Sequence, residues 1–262
     1  MSPSGYYAWL KRAECERVKS DRQLLKKIDR IYHKSRGTYG SPRVHQALRQ
    51  EHIRVGRKRV ERLMRNAGLQ ARAFRQYRHN PSLHRFFDTF DNVRLSVGKP
   101  TAINQQWVSD ITYLRVGKEW RYLTTVMDLY SRKIISWSLR KRRTTESTLA
   151  AINTAIAKRR PRKGLIFHTD RGIEFRGERV QRVLRQHGII SSMNRPYRSV
   201  DNAEMESFYK TLKGDVIRGR VYKIESELRR DIRSYINHFY NTQRLHSSIG
   251  YRTPVEYESI AA

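Results

Sequence analysis

The 262-residue sequence has a single cysteine, Cys15. An intramolecular disulfide is thereby excluded, and one unpaired thiol points to a reducing compartment. No apolar run approaches the ~18 residues that a membrane span requires, and no signal-peptide pattern opens the sequence. Acidic residues are scarce: 24 Asp+Glu stand against 55 Lys+Arg, a net charge of +31. Such self-repulsion serves no purpose in an enzyme for small neutral substrates. It suits a polyanionic partner, and nucleic acid is the default. An anionic membrane surface is the rival partner, disfavoured by the absence of an apolar segment.

Hydrophobic residues make up 38% of the chain, with 15 Tyr and 8 Phe, enough for a sizeable core in one or two domains. The basic residues crowd the first hundred positions and return after Lys210, leaving a less charged, β-rich centre. Residues 1–19, opening with "MSPSGYYAWLKR", read as an N-terminal junction. Residues 20–75 read as three short helices. Leu24, Leu25, Ile28, Ile31 and Tyr32 share a face of the first. The second is expected to take Ser41 as N-cap with Pro42 at its first position. The third turns Val60, Leu63 and Met64 inward and stops at Gly68. Its other face carries Arg57, Lys58, Arg59, Arg62 and Arg65. This is a helix-turn-helix-like basic module, with a solvated charged face or a protein-packing surface as the bland alternative. Residues 76–100 show no sustained period and read as a linker.

Residues 101–218 give the order βββ-α-β-α-β-α. Three strands in an antiparallel meander, followed by alternating helices and strands, predict an α/β fold: a mixed sheet with flanking helices of the ribonuclease H-like order. Residues 219–262 read as a helical, basic extension, with Leu228, Ile232, Tyr235, Ile236 and Phe239 on one face.

Against this basic background stands "SVDNAEMESFYKTLKGD". Asp201 and Glu204 have capping-box spacing and are expected to close a helix start. Glu206 falls outside that box. It lies on the helix face of Asn202, Lys210 and Lys213, at i−4, i+4 and i+7. This is either a salt-bridged surface row or an acid facing phosphates. Two further acids shift the balance. Asp110 lies within the first β-run, where an unpaired carboxylate is costly, and Asp170 ends the strand "GLIFHTD". In the expected fold these strands are neighbours and the Glu206 helix crosses beside them. Three carboxylates then converge, and oxygen-only ligands favour Mg²⁺ or Mn²⁺. Two such ions can serve an in-line phosphoryl displacement. His168, two residues before Asp170, either orients that acid, touches DNA or is simply packed. Asp128 reads as a turn acid.

With 35 residues between Asp170 and Glu206, the triad has a D, D(35)E pattern. Together with "WVSDITYL", "HTDRGIEF", "DNAEMESFYKTLK" and "YINHFYNTQRLHSSIGYRTP", it resembles the second-frame product of IS3-family insertion-sequence transposases, over nearly the whole chain. The resemblance implies a retroviral-integrase-like catalytic core and makes Asp110, Asp170 and Glu206 the residues that bind two Mg²⁺ or Mn²⁺ ions. It also makes Lys213 the family's basic residue seven after the Glu. It implies DNA strand cleavage and transfer at element ends, DNA ends and target as partners, and a homo-oligomer in the active complex. An upstream-frame DNA-binding module and a bacterial cytoplasmic, nucleoid-associated location follow from it too. Ile173 and Glu174 depart from the polar Ser and Gln of many relatives. Arg244 and His246, in the tail motif, are assigned to DNA contact from charge alone. The competing reading is a DNA-binding regulator or assembly subunit that keeps the fold without catalysis; a simple ribonuclease is a third.

Overall fold

A computed structural model describes Pro3, Ser4, Tyr7 and residues 15–71, 90–196 and 198–261. Most of the expected N-terminal junction, and the expected linker up to residue 89, lie outside the described residues. The chain divides into two compact units, Met1–Ala73 and Phe74–Ala262.

In the first unit, α1 (Glu16–Lys34), α2 (Ser41–Gln50) and α3 (Arg57–Asn66) enclose a small core. Leu24, Ile28 and Ile31 of α1, Val44 and Leu48 of α2, and Val60, Leu63 and Met64 of α3 are buried there. The helical spacing of these positions is what gives each helix a single apolar face. Gly40, not Ser41, takes the N-cap position of α2 with extended backbone, so Pro42 sits one residue deeper than expected. Gly68 ends α3 in the left-handed region (φ 67°), and the Leu69 N–H then closes onto the Met64 carbonyl at 2.9 Å.

The basic face of α3 is more divided than its sequence suggests. Arg59 Nε and Arg62 Nη2 each reach a different oxygen of Asp21 at 2.6 Å. These two arginines therefore clamp α3 to α1. Arg65 pairs with Glu61 one turn back, and Arg57 and Lys58 are exposed.

The second unit is built on a five-stranded sheet in the order β3-β2-β1-β4-β5. β1 (Gln106–Val116), β2 (Glu119–Asp128) and β3 (Ile134–Arg140) form the antiparallel meander, while β4 (Ile166–Thr169) and β5 (Ile190–Met193) run parallel to β1. This is the ribonuclease H-like arrangement expected. The remaining helices are α4 (Val93–Val97), α5 (Thr145–Arg159), α6 (Ile173–Arg176), α7 (Glu178–Gln186), α8 (Ala203–Leu212), α9 (Glu225–Ser234) and α10 (Pro254–Ala261).

Alternation along β1 divides the core in two. Trp107 and Ile111 face a cluster with α5 and α7, containing Ile152, Phe167 and Leu184. Val108, Leu114 and Val116 face a cluster with α8 and α9, containing Phe208, Leu212 and Ile232. The face expected after residue 226 is buried in that same cluster: Leu228, Ile232, Tyr235, Ile236 and Phe239. The last six residues of that run wind more widely, as a π-type turn from Tyr235 to Tyr240.

The tail motif is structural. Asn241 exchanges two 3.0 Å hydrogen bonds with the backbone of Ile134, extending the start of β3 with a side-chain amide. Arg244 is buried and lies 3.4 Å from Asp215, and His246 packs edge-on to Tyr240. The DNA contact assigned to Arg244 is therefore corrected: its paired guanidinium belongs to the interior, while His246 is half-buried against Tyr240. Asp128 closes a turn, as expected, accepting from the N–H groups of Asn104, Tyr130 and Ser131.

Candidate active site

The site forms where β4 stops. β4 pairs with β1 only as far as Val108, and among the described residues no strand pairs with the β1 edge beyond it on this side. Asp110 lies just past the last pair on β1, and Asp170 just past the end of β4. Parallel strands in register bring both carboxyls to one sheet edge, the usual place for a site in such a sheet. The Asp110 carboxylate accepts from the Ile111 N–H at 2.7 Å, and the Asp170 carboxylate from the Gly172 N–H at 3.0 Å.

The charges of these acids act on one another. Burial, then repulsion from Asp170 and Glu206, raises Asp110 well above the usual carboxylate range, against the Ile111 N–H and the Arg143 guanidinium. Burial and the Glu174 charge raise Asp170, against the Gly172 N–H and Arg143. The three sequence-predicted acids thus share one electrostatic site.

Helix α8 carries Glu206 and is fixed to β1 at two points. Asn202 donates from Nδ2 to the Ser109 carbonyl at 3.1 Å, and Tyr209 donates to the Asp110 carbonyl at 2.5 Å. Thr125 Oγ1 stands 2.8 Å from the same Tyr209 hydroxyl. Asn202, Glu206, Tyr209 and Lys213 recur at helical spacing, so the stripe that holds the helix also presents the acid. Lys213 is half-buried; burial lowers its ammonium from the usual value, and the Asp110 charge works against that. Lys210, expected on the same face, is exposed.

The expected capping box of Asp201 and Glu204 does not form. A 3₁₀ turn, Ser199–Asn202, precedes α8, and its start has no side-chain cap. Asp201 instead takes Arg195 in a two-pronged pair and accepts from Asn92 at 2.9 Å. Glu204 is gripped by both terminal nitrogens of Arg94, at 2.6 and 3.0 Å. Charge-assisted pairs with guanidinium groups from distant segments outweigh a local backbone cap.

His168 is likewise not the orienter of Asp170. It is fully buried, with Nδ1 2.9 Å from Ser192 Oγ and Nε2 2.8 Å from Asn194 Oδ1. Burial, then the Arg94 charge, lowers it to about 4, so it is neutral and ties β4 to β5.

Two charged groups beside the acids were given no role by the sequence reading. Arg143, in the loop after β3, pairs with Glu174 at 2.8 Å, and Glu174 is buried with its Oε2 atom unpartnered. A methyl group placed on Gly172 would lie 2.9 Å from Asp170 Oδ1 and 3.0 Å from both Arg143 Nη2 and Glu174 Oε2. The glycine therefore makes room for this crowded cluster. Glu174 was visible in the sequence as a departure from its relatives' polar residue, but Arg143 was lost in a basic run.

An oxygen-only pair of mutually repelling acids suits a hard divalent cation, which would relieve the repulsion that raises Asp110. Among the described residues no three His, Cys, Asp or Glu side chains gather closely enough to enclose one ion. Glu206 acts on Asp110 through its charge. Among the described residues no helix is long and apolar enough to cross a membrane.

Comparison with known proteins bears on the same region. The integrase core domain family matches residues 100–199 and, in a second description, residues 187–254; an HTH-like domain matches residues 19–77. The transposase for insertion sequence element IS904 of Lactococcus lactis subsp. lactis (strain IL1403) is 37% identical over 244 residues, covering 91% of this chain and 94% of that protein. Transposase InsF for insertion sequence IS3A of Escherichia coli (strain K12) is 32% identical over 262 residues, covering 98% and 90%. Among solved structures, the HTLV-2 integrase catalytic core domain in complex with magnesium (trimeric form) is 17% identical, over 61% of this chain and 99% of that one, with a TM-score of 0.47.

Proposed function

This chain belongs to the IS3 family of insertion-sequence transposases, enzymes of the integrase type that act on DNA, and we propose that it cuts and rejoins strands at element ends with Asp110, Asp170 and Glu206. The observation that carries this reading is the charge coupling of the three acids at the open edge of β1, in a chain of net charge +31. Acids so placed would repel a phosphate unless a cation stood between them.

Asp110, Asp170 and Glu206 would hold Mg²⁺ or Mn²⁺, and a cation held there would supply positive charge to the reacting phosphate and to the oxygens entering and leaving it. The chain's own groups do the positioning. Tyr209 and Asn202 hold α8 against β1, so that Glu206 faces Asp110. Lys213 offers its ammonium beside Asp110 to a phosphate oxygen. Arg143, held by Glu174, balances the acids before DNA arrives.

Two phosphoryl displacements make up the reaction. In cleavage a water oxygen forms the new bond to phosphorus and the 3′-oxygen of the cut strand leaves, taking up a proton. In strand transfer that 3′-hydroxyl loses its proton, its oxygen bonds to a second phosphorus, and the 3′-oxygen of the receiving strand leaves. Each step breaks one phosphorus–oxygen ester bond as a new phosphorus–oxygen bond forms, the proton lost by the attacking oxygen being matched by one taken up by the leaving oxygen, and needs no oxidant or external energy source.

Element ends and target DNA are the proposed partners. A homo-oligomer pairs the ends, an upstream-frame module supplies end recognition, and the enzyme works in the bacterial cytoplasm at the nucleoid. The test is strand cleavage of a labelled element-end duplex in Mg²⁺, set beside duplex binding. Asp110→Asn, Asp170→Asn and Glu206→Gln should each abolish cleavage and leave binding within about threefold. Cleavage that survives in any of the three overturns the assignment for that residue.

A further inference from the structure

Two large aromatic side chains stand on the surface just beyond the site. Tyr113 is 45% exposed and Trp120 46% exposed, at the far end of the β1–β2 hairpin. Their rings meet edge to face with centroids 5.1 Å apart. Each ring carries a cation: the Lys213 ammonium lies 4.7 Å from the Tyr113 centroid, and the Arg115 guanidinium 5.7 Å from that of Trp120. Arg115 and Trp120 face each other across the ladder. The nearby acid Glu119 is paired with Arg121 at 2.8 Å, so its charge is already matched.

The cluster lies further along the strand of Asp110, on the other face of the sheet. Tyr113 follows Asp110 by three residues, about 10 Å of extended chain. That is about three nucleotide steps of a stacked strand. Lys213 links the two places, since it lies over Tyr113 and also feels the Asp110 charge. Among the described residues no β-strand covers the β1 edge between them.

We propose that Tyr113 and Trp120 form a stacking platform for unpaired bases of the DNA strand held at Asp110. Exposed rings flanked by cations suit a nucleotide, whose base offers its face to the ring and whose phosphate meets the ammonium. Duplex DNA buries those faces in its own stack, so the platform selects an end whose terminal bases have separated. The inference rests on the reading of Asp110 as a strand-processing acid and adds the form in which the strand is held.

The experiment uses the full chain and a duplex ending in three unpaired nucleotides on each strand. A second duplex has the same tails with abasic sugars, which keeps every phosphate and removes the bases. Binding is measured by competition without divalent ions, and cleavage of both duplexes is followed in parallel with Mg²⁺. Wild type should prefer the base-bearing tails by at least about tenfold, given the usual strength of base–aromatic stacking. Tyr113→Ala and Trp120→Ala should each reduce that preference and leave abasic-tail binding unchanged, while Tyr113→Phe keeps it. Equal affinity of wild type for the two duplexes, or a preference that survives both alanine variants, overturns the platform. Cleavage without a base preference sinks this inference alone. A base preference without cleavage supports the platform and counts instead against the proposed chemistry.

Discussion

The Tyr209 hydroxyl donates to the backbone carbonyl of Asp110 at 2.5 Å, joining the helix of one acid to the strand of another. Both groups are withdrawn from water, and the tyrosine's own ionisation is pushed well upward, by burial first and then by the Asp110 charge. Tyr209→Phe keeps the ring and removes the donor. It leaves a buried carbonyl and the Thr125 hydroxyl short of a partner, a loss of about 1–3 kcal/mol. Urea unfolding should register that loss. Cleavage should fall by more than the unfolded fraction explains, because α8 is no longer tied to β1 beside Glu206. Activity that simply tracks the folded fraction would reduce Tyr209 to a core residue.

A second expectation concerns stability without metal. Burial and like charge both act against the ionised form of Asp110. Asp110→Asn removes that strain at neutral pH while ending catalysis. With divalent ions chelated, the variant should melt about 2–4 °C above wild type, corresponding to about 1 kcal/mol in a unit of this size. Mg²⁺ should then stabilise wild type and leave the variant nearly unmoved. A variant that melts lower than wild type would mean that the Asp110 carboxylate serves the fold as well as the chemistry.

Gly172 supports the site without chemistry of its own. Its backbone is ordinary, with φ −58°, so alanine brings no backbone strain. The added methyl instead meets Asp170 Oδ1, Arg143 Nη2 and Glu174 Oε2 at 2.9–3.0 Å. These are side-chain ends that can move aside, so Gly172→Ala should change stability by less than about 1 kcal/mol. Moving Asp170 by a few tenths of an ångström is less forgiving for a reaction that depends on alignment. Cleavage should drop at least about tenfold with binding intact; wild-type rates would show that the cluster has slack.

The parts legible in the sequence were those set by local periodicity or by a residue out of place. β1 alternates cleanly between two buried clusters, and Asp110 stands out because an acid interrupts that apolar run. Glu206 could be separated from Glu204 because only one of them fits a cap. What the sequence could not supply were the partners. Arg94 lies 110 residues before Glu204, and no local rule foretells that its guanidinium takes the carboxylate away from the helix start. Tyr209 carries no signal in the sequence, because burial of the ring conceals the use of its hydroxyl. In the tail motif charge misled: Arg244 is basic, yet its partner is the buried Asp215 rather than a phosphate.

Asp201 gives a pH dependence with a definite sign. The Arg195 guanidinium, then the Arg195 N–H and Asn92, hold its carboxyl far below the usual range despite the opposing effect of burial. The unfolded chain, with an Asp value of about 3.9, therefore takes up the proton first as pH falls. Asp201 contributes its full stabilisation above about pH 5 and loses it progressively as pH drops through and below about 4. Asp201→Asn should be less stable than wild type at pH 7, and the gap should narrow as urea unfolding is repeated towards pH 3. A gap that stays constant with pH would assign the loss to packing rather than charge.

The divided face of α3 makes the last expectation. Arg57 and Lys58 are exposed, and Arg65 has a one-turn pair with the half-buried Glu61. Such pairs are weak and exchange readily for a phosphate. Arg59 and Arg62 are committed to Asp21, which is only 15% exposed. If the first unit binds DNA through this face, replacing Arg57, Lys58 and Arg65 with Gln should flatten the slope of log K against log salt by roughly 2–3, about 0.9 for each lost phosphate contact. The same change should leave the melting of the unit nearly as it was. Arg59→Gln with Arg62→Gln should do the reverse, costing stability by leaving Asp21 unpaired and moving the slope little. Asp21→Asn separates the two roles further. It frees both arginines, so it should weaken the fold while keeping or raising the affinity for DNA. A slope that responds equally to both sets of substitutions would mean that Arg59 and Arg62 give up Asp21 for phosphate when DNA binds.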